Sequence, residues 1–171
     1  MKGRRIFGFL AGLCLLASSR ISQGADEATV KAAYIYNFAK FIQWPDEKSS
    51  TLRLCDLSLD SPDRFLDTLI GKPVRDMRIS VRYSVGLQDV PQCDLVFVPA
   101  GNAQRLARVR QVVNDFPILI VAESATALPK GATVALIQSD NRMVFEVDLG
   151  LARQLGLLVS GRMLQLARKV Y

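Results

Sequence analysis

Apolar positions recur every three to four residues between residues 26 and 44, a period that predicts a helix closed by Pro45. At 100° per residue Val30, Tyr34, Asn37, Phe38, Phe41 and Trp44 fall on one side, as a stripe facing a sheet. Asn37 is polar on that stripe and, if buried, needs a hydrogen-bond partner. Tyr36 lies off the stripe with Lys40 four residues on, so the pair is a candidate partner-contacting patch.

The pattern then alternates between strand and helix. Strands are predicted at 52–58, 77–84, 94–100 and 117–123, and 94–100 and 117–123 are nearly continuous apolar runs of the kind covered on both faces. Between them lie a helix opened by Ser61 and Pro62 and ending near Gly71, and an amphipathic helix over 102–116. A short helix or turn follows the strand at 117–123. Residues 133–140 and 142–148 form a hairpin turning at Asp140–Asn141. A short helix stopped by Gly156 and a last helix over 160–170, capped by Ser160, complete the chain. The fold class is α/β: a single-domain sandwich with a mixed sheet, partly parallel, flanked by helices and ending in a hairpin and helices.

The first residues have a different character. A basic start (Lys2, Arg4, Arg5), a short apolar run and small residues before Gly24 are the layout of an export signal, with cleavage after Gly24. Residues 1–24 are then the signal and 25–171 the folded domain, one domain's worth of chain. Removing four basic residues (Arg20 is the fourth) from a formal charge of +6 leaves about +2, so the basic balance does not argue for nucleic acid. Cys14 leaves with the signal. Cys55 and Cys93 remain, an even pair in an exported chain, where a disulfide is expected and two buried free thiols are the alternative.

The chain has no histidine. That excludes a Ser-His-Asp or Cys-His machine, a histidine-ligated metal and a histidine pH switch. No catalytic or metal site and no cofactor is expected. The Gly71-Lys72 pair lacks the spacing of a phosphate loop and reads as a turn into a strand. Glu146 and Asp148 read as a solvated strand end and a helix cap rather than an acid–base pair. Arg105 and Arg108 share a helix face with Arg110 apart, and the three read as a solvated surface.

The run "VKAAYIYNFAKFIQWP" resembles the opening helix of the YfiR family of periplasmic proteins. The likeness continues in order through "LRLC", "LIGKPVRDMRISVR", "CDLVFVPA" and "RMVFEVDLGLARQLGLLVSGRMLQLARKV". Asp148, Gly150 and Gly161 depart from the family pattern, which has Asn, Asp and Ser there. The resemblance implies a disulfide between Cys55 and Cys93 and a periplasmic protein without chemistry of its own. It implies a repressor that binds the periplasmic part of an inner-membrane diguanylate cyclase and lowers cyclic-di-GMP output. It further implies release by an outer-membrane lipoprotein. A membrane sensor kinase as receptor is the variant of this reading, and a homodimer stays open. The alternative is a periplasmic small-molecule sensor holding an anion with Arg142, Arg162 or Arg168 near the strand ends.

Overall fold

A computed structural model describes residues 22–45, 49–58, 64–140 and 142–171. The expected export signal lies outside these residues as far as residue 21. Helix α1 (Ser22–Phe41) starts four residues earlier than the periodicity suggests and ends three residues earlier. Its end is set by tertiary partners for carbonyls that a helix terminus leaves free. The Phe41 carbonyl accepts from the Ser160 amide at 2.9 Å, and the Ile42 carbonyl accepts from Arg75. The chain therefore straightens into β1 (Ile42–Gln43), and Trp44 lies beyond the helix.

The remaining elements follow in order: β2 (Thr51–Asp56), β3 (Pro73–Val74), β4 (Met77–Arg82), β5 (Leu95–Val98), α2 (Ala103–Val113), β6 (Leu119–Glu123), β7 (Val134–Ser139), β8 (Arg142–Val147), α3 (Leu149–Gln154), β9 (Leu158–Val159), α4 (Gly161–Leu166) and β10 (Lys169–Val170). Single 3-10 turns occupy Phe65–Leu69, Leu87–Gln92 and Leu128–Lys130. The helix expected to open at Ser61 is thus a 3-10 turn, and Ser61 and Pro62 lie outside the described residues. The turn closes at Gly71, whose φ of 75° is left-handed and suits glycine. The last helix stops at Leu166 because Ala167 is extended. The Arg168 amide then bonds the Phe145 carbonyl at 2.8 Å, and the chain joins the sheet as β10.

Eight strands form one sheet in the order β10-β8-β7-β6-β5-β2-β4-β3. The pairs β4–β2, β2–β5, β5–β6 and β6–β7 are parallel, and β7–β8 and β3–β4 are antiparallel. The five parallel strands, taken in chain order, stand 2-1-3-4-5, the doubly wound arrangement. The chain leaves β2 for β4 on one side and then crosses to β5 on the other. The expected hairpin is present as β7–β8, with Asp140 at φ 46°. The expected α/β sandwich with a mixed sheet is the observed fold.

The two faces carry separate cores. One holds Ile35, Phe38, Ala39, Ile42, Leu52, Leu54, Phe97, Phe145 and Met163 under α1, α3, α4 and the Phe65–Leu69 turn. The other holds Cys55, Leu57, Val96, Leu106, Val109, Val113 and Ile120 under α2. Burying an aromatic or a branched aliphatic side chain contributes about 1.5–3 kcal/mol. Removing Phe38, 2 % exposed and edge-on to Phe145 at 5.0 Å, is in the class that costs about 3–5 kcal/mol.

Two contacts lock β2 to the start of β5, and a third ties the segment after β1 to the same point. Cys55 and Cys93 are joined by a disulfide across 38 residues. The Asp94 carboxylate accepts from the Arg53 amide at 2.7 Å and from its guanidinium at 2.9 and 2.7 Å. Trp44 Nε1 donates to the Asp94 carbonyl at 3.1 Å. Under non-reducing conditions the chain is expected to weigh two hydrogens less than its reduced form. Replacing both cysteines by alanine should lower unfolding stability by about 3–4 kcal/mol, the loop-entropy value for such a ring. Chemical denaturation of the two forms checks this.

Candidate functional site

The inward stripe of α1 is rotated by ~130° from the one the periodicity suggests, at ~100° per residue. Ala32, Ile35, Phe38, Ala39 and Ile42 are buried. Tyr34 and Phe41 flank this stripe on one side, half-buried, and Tyr34 donates its hydroxyl to the Met143 carbonyl at 2.7 Å. Asn37 is exposed on the far side, which corrects its placement on the apolar face. The expected stripe followed the aromatics and left out Ala32, Ile35 and Ala39, which are the buried positions; Trp44 is not helical, and its indole is buried from the segment after β1.

Tyr36 flanks the stripe on the opposite side from Tyr34, half-buried against the core. Its hydroxyl donates to the Pro73 carbonyl at 2.9 Å, so it fastens α1 to β3, one edge of the sheet. Two ammonium groups sit by its ring, Lys40 at 5.5 Å and Lys72 at 5.2 Å. Lys40 and Lys72 are exposed, and neither ion-pairs with an acidic side chain among the described residues. Ile70, two positions before Lys72, is 54 % exposed. Lys72 and Ile70 come from the turn before β3. Sequence reading placed Tyr36 beside Lys40 but missed Lys72, which lies 36 positions from Tyr36 in the chain and only the edge pairing brings near.

The arginines expected to hold an anion do not converge. Arg168 is committed to Glu146, with Nε at 3.1 Å and Nη2 at 2.7 Å from one carboxylate oxygen, and the Tyr171 hydroxyl donates to the other at 3.2 Å. Arg142 opens β8, four residues or ~13 Å of strand rise away from Glu146. Arg162 lies over the Phe41 ring at 6.0 Å. Glu146 is 7 % exposed, so it is a paired buried acid rather than a solvated strand end. Asp148 caps α3 as expected, accepting from the Leu151 amide at 2.8 Å.

The arginines of α2 also differ from a solvated row. Arg105 is half-buried and donates to the Val85 carbonyl at 2.8 Å. Arg110 is half-buried too, and burial lowers its pKa from the ordinary value, partly offset by Asp115. Only Arg108 is exposed. Lys31 ties α1 to β6 through Glu123 at 2.6 Å and pairs with Glu27 at 2.8 Å. Burial pulls the Lys31 pKa down, but the hydrogen bonds to the two carboxylates outweigh it and the net shift is upward.

At the C-terminal ends of β2 and β4, Tyr83 donates its hydroxyl to Asp67 at 3.0 Å, and the Arg64 guanidinium stacks on its ring at 4.6 Å. Burial, then the Asp67 bond and its charge, push the Tyr83 phenol up to about 12. Beside it opens a cleft of about 330 Å³ lined by Ser58, Arg64, Val81, Tyr83 and Ser84.

Residues 28–168 match the family model described as YfiR/HmsC-like, and the chain belongs to that family. No curated protein matches it. Solved structures give the fold. One is a conserved domain protein from Vibrio cholerae (TM-score 0.52, 9 % identity, 82 % of this chain and 60 % of that one). Another is the ABC domain in complex with L-Trp from Streptococcus pneumoniae (TM-score 0.54, 9 % identity, 84 % of this chain and 60 % of that one). This chain thus spans about 60 % of the length of each. No helix among the described residues is long and apolar enough to cross a membrane.

The Tyr83 shift gives a pH prediction. A phenol raised from 10 to about 12 on folding contributes stability that is complete below pH 10 and lost as pH rises through about 12. The melting temperature of the wild type should fall over that window, and Tyr83→Phe should lack this part of the fall. Parallel melting series from pH 9 to 12 check it.

Proposed function

We propose that this chain is an exported, non-catalytic regulator that works in the periplasm. It binds the periplasmic part of an inner-membrane diguanylate cyclase and represses cyclic-di-GMP output. The face around Tyr36, Lys40 and Lys72 is its contact surface. Membership of the YfiR/HmsC-like family supports the regulatory role. The single observation that supports the surface is a half-buried tyrosine, anchored by its hydroxyl, with two ammoniums beside its ring and an exposed isoleucine near by.

The physical logic is that of a preorganised interface. An aromatic already held in place loses little entropy on binding, and tyrosine is enriched where partners meet. Two cations around it, without acidic partners among the described residues, favour a partner surface carrying carboxylates. An outer-membrane lipoprotein that competes for the chain would relieve repression. The disulfide and the Asp94 clamp supply a body rigid enough to act by docking alone.

Deleting the gene should raise cellular cyclic-di-GMP, and affinity capture of the tagged protein from solubilised membranes should recover a diguanylate cyclase. Unchanged cyclic-di-GMP across growth conditions, with no cyclase captured, would count decisively against the proposal.

A further inference from the structure

Asp56 ends β2 and is 0 % exposed. Its Oδ1 accepts from the Ser58 amide at 2.8 Å and from the Ser58 hydroxyl at 2.6 Å. Its Oδ2 is buried and has no partner. Buried carboxylates are ordinarily satisfied on both oxygens, because an unmet charge in a low dielectric is costly. Among the described residues, the buried polar atoms without a partner are this oxygen, Arg105 Nε, Arg110 Nη1 and Thr133 Oγ1, and this one alone belongs to an acid.

The cleft of about 330 Å³ lies next to it. Ser58 belongs to both: it lines the cleft and donates its hydroxyl to Asp56. Asp56 alternates with Cys55, so it lies on the sheet face of Leu54, whose register partner Val81 also lines the cleft. The position is the C-terminal end of β2 and β4, the end of the strands outside which open α/β sheets hold ligands. The volume falls at the low end of the small-molecule range, about 300–1,000 Å³.

We propose that this cleft binds a small organic cation, a primary ammonium on a short aliphatic body. The Arg64 charge is matched by Asp67 at 3.2 Å, and the Asp56 carboxyl, one hydrogen bond behind Ser58 of the lining, has no basic side chain paired with it among the described residues. A buried charge screened from water projects its field into the adjacent cavity and selects a cation there. An ammonium carries three donors, and three of the lining residues, Ser58, Tyr83 and Ser84, carry hydroxyls that donate to Asp56, Asp67 and the Ser58 carbonyl and keep lone pairs to accept, with Val81 as the apolar member. A hard metal ion fits less well, since it needs about six oxygen ligands and no group of three acidic or thiol ligands gathers among the described residues. The sign of the ligand is opposite to that expected from the C-terminal arginines, and the site is elsewhere.

The test is a titration of the mature protein with n-butylamine hydrochloride at constant ionic strength, followed by amide NMR shifts. Saturable shifts at the Ser58, Tyr83 and Ser84 amides are expected, with none from butanol or sodium butyrate. Asp56→Asn should weaken binding at least tenfold. Should that variant not fold, Tyr83→Phe, which keeps the ring and removes one of the hydroxyl acceptors, should weaken binding several-fold. Absent or non-saturating shifts, equal shifts with butyrate or butanol, or full binding in whichever variant folds would overturn the proposal. None of these outcomes depends on whether the protein represses a cyclase.

Discussion

The docking of α1 on the sheet is the constraint from which the rest of this structure follows. Ile35, Phe38, Ala39 and Ile42 form its buried stripe, and Phe38 meets Phe145 edge-on at 5.0 Å. That packing fixes the rotation of the helix about its own axis. Rotation in turn decides which side chains flank the core and which face water. Tyr34 falls on the flank toward β8 and Tyr36 on the flank toward β3, each anchored by its hydroxyl to a backbone carbonyl. Lys40, one turn beyond Tyr36, is exposed and brought toward the sheet edge and Lys72.

The helix can hold this position because the sheet beneath it is stiff. Its central parallel strands β5 and β6 are buried on both faces, the junction of β2 with β5 is tied by a disulfide and a bidentate arginine–carboxylate pair, and an indole hydrogen bond from Trp44 joins the segment after β1 to the same place. The same junction is where the winding of the sheet reverses. Asp56, next to the bonded Cys55, sits there with one carboxylate oxygen unmet. A rigid frame is what allows such a group to persist, since a looser one would expose it to water or let a donor move in. Structural strength and the polar cleft share one region of the fold.

Much of the architecture was legible in the residues. The apolar runs at 94–100 and 117–123 announced buried parallel strands, Asp140 marked the hairpin, and Ser160 and Asp148 cap the helices they precede. The disulfide was expected from an even pair of cysteines in a chain read as exported, and it is present. What escaped depends on partners far away in sequence. Glu146 is paired with Arg168, 22 residues on, and Lys72 reaches Tyr36 only because β3 lies at the edge beside α1. Periodicity cannot see that Ser160 and Arg75 end α1 at Phe41, and so the expected stripe included Trp44; Asn37 fell on it because that stripe centres on the aromatics and not on Ala32, Ile35 and Ala39. Short 3-10 turns such as Leu87–Gln92 carry too few residues to show a period.

The central claim is that a regulator acts here through the anchored tyrosine and its two lysines. It is tested most directly by the affinity of the purified chain for the periplasmic domain of the captured cyclase, compared with Lys40→Glu/Lys72→Glu. Both positions are exposed, so the double variant should melt within a few degrees of the wild type. The account predicts binding at least tenfold weaker, with most of the loss removed at high salt, where charge contributes little to either protein. Equal affinity of the two proteins at low salt, with the variant folded, would contradict it.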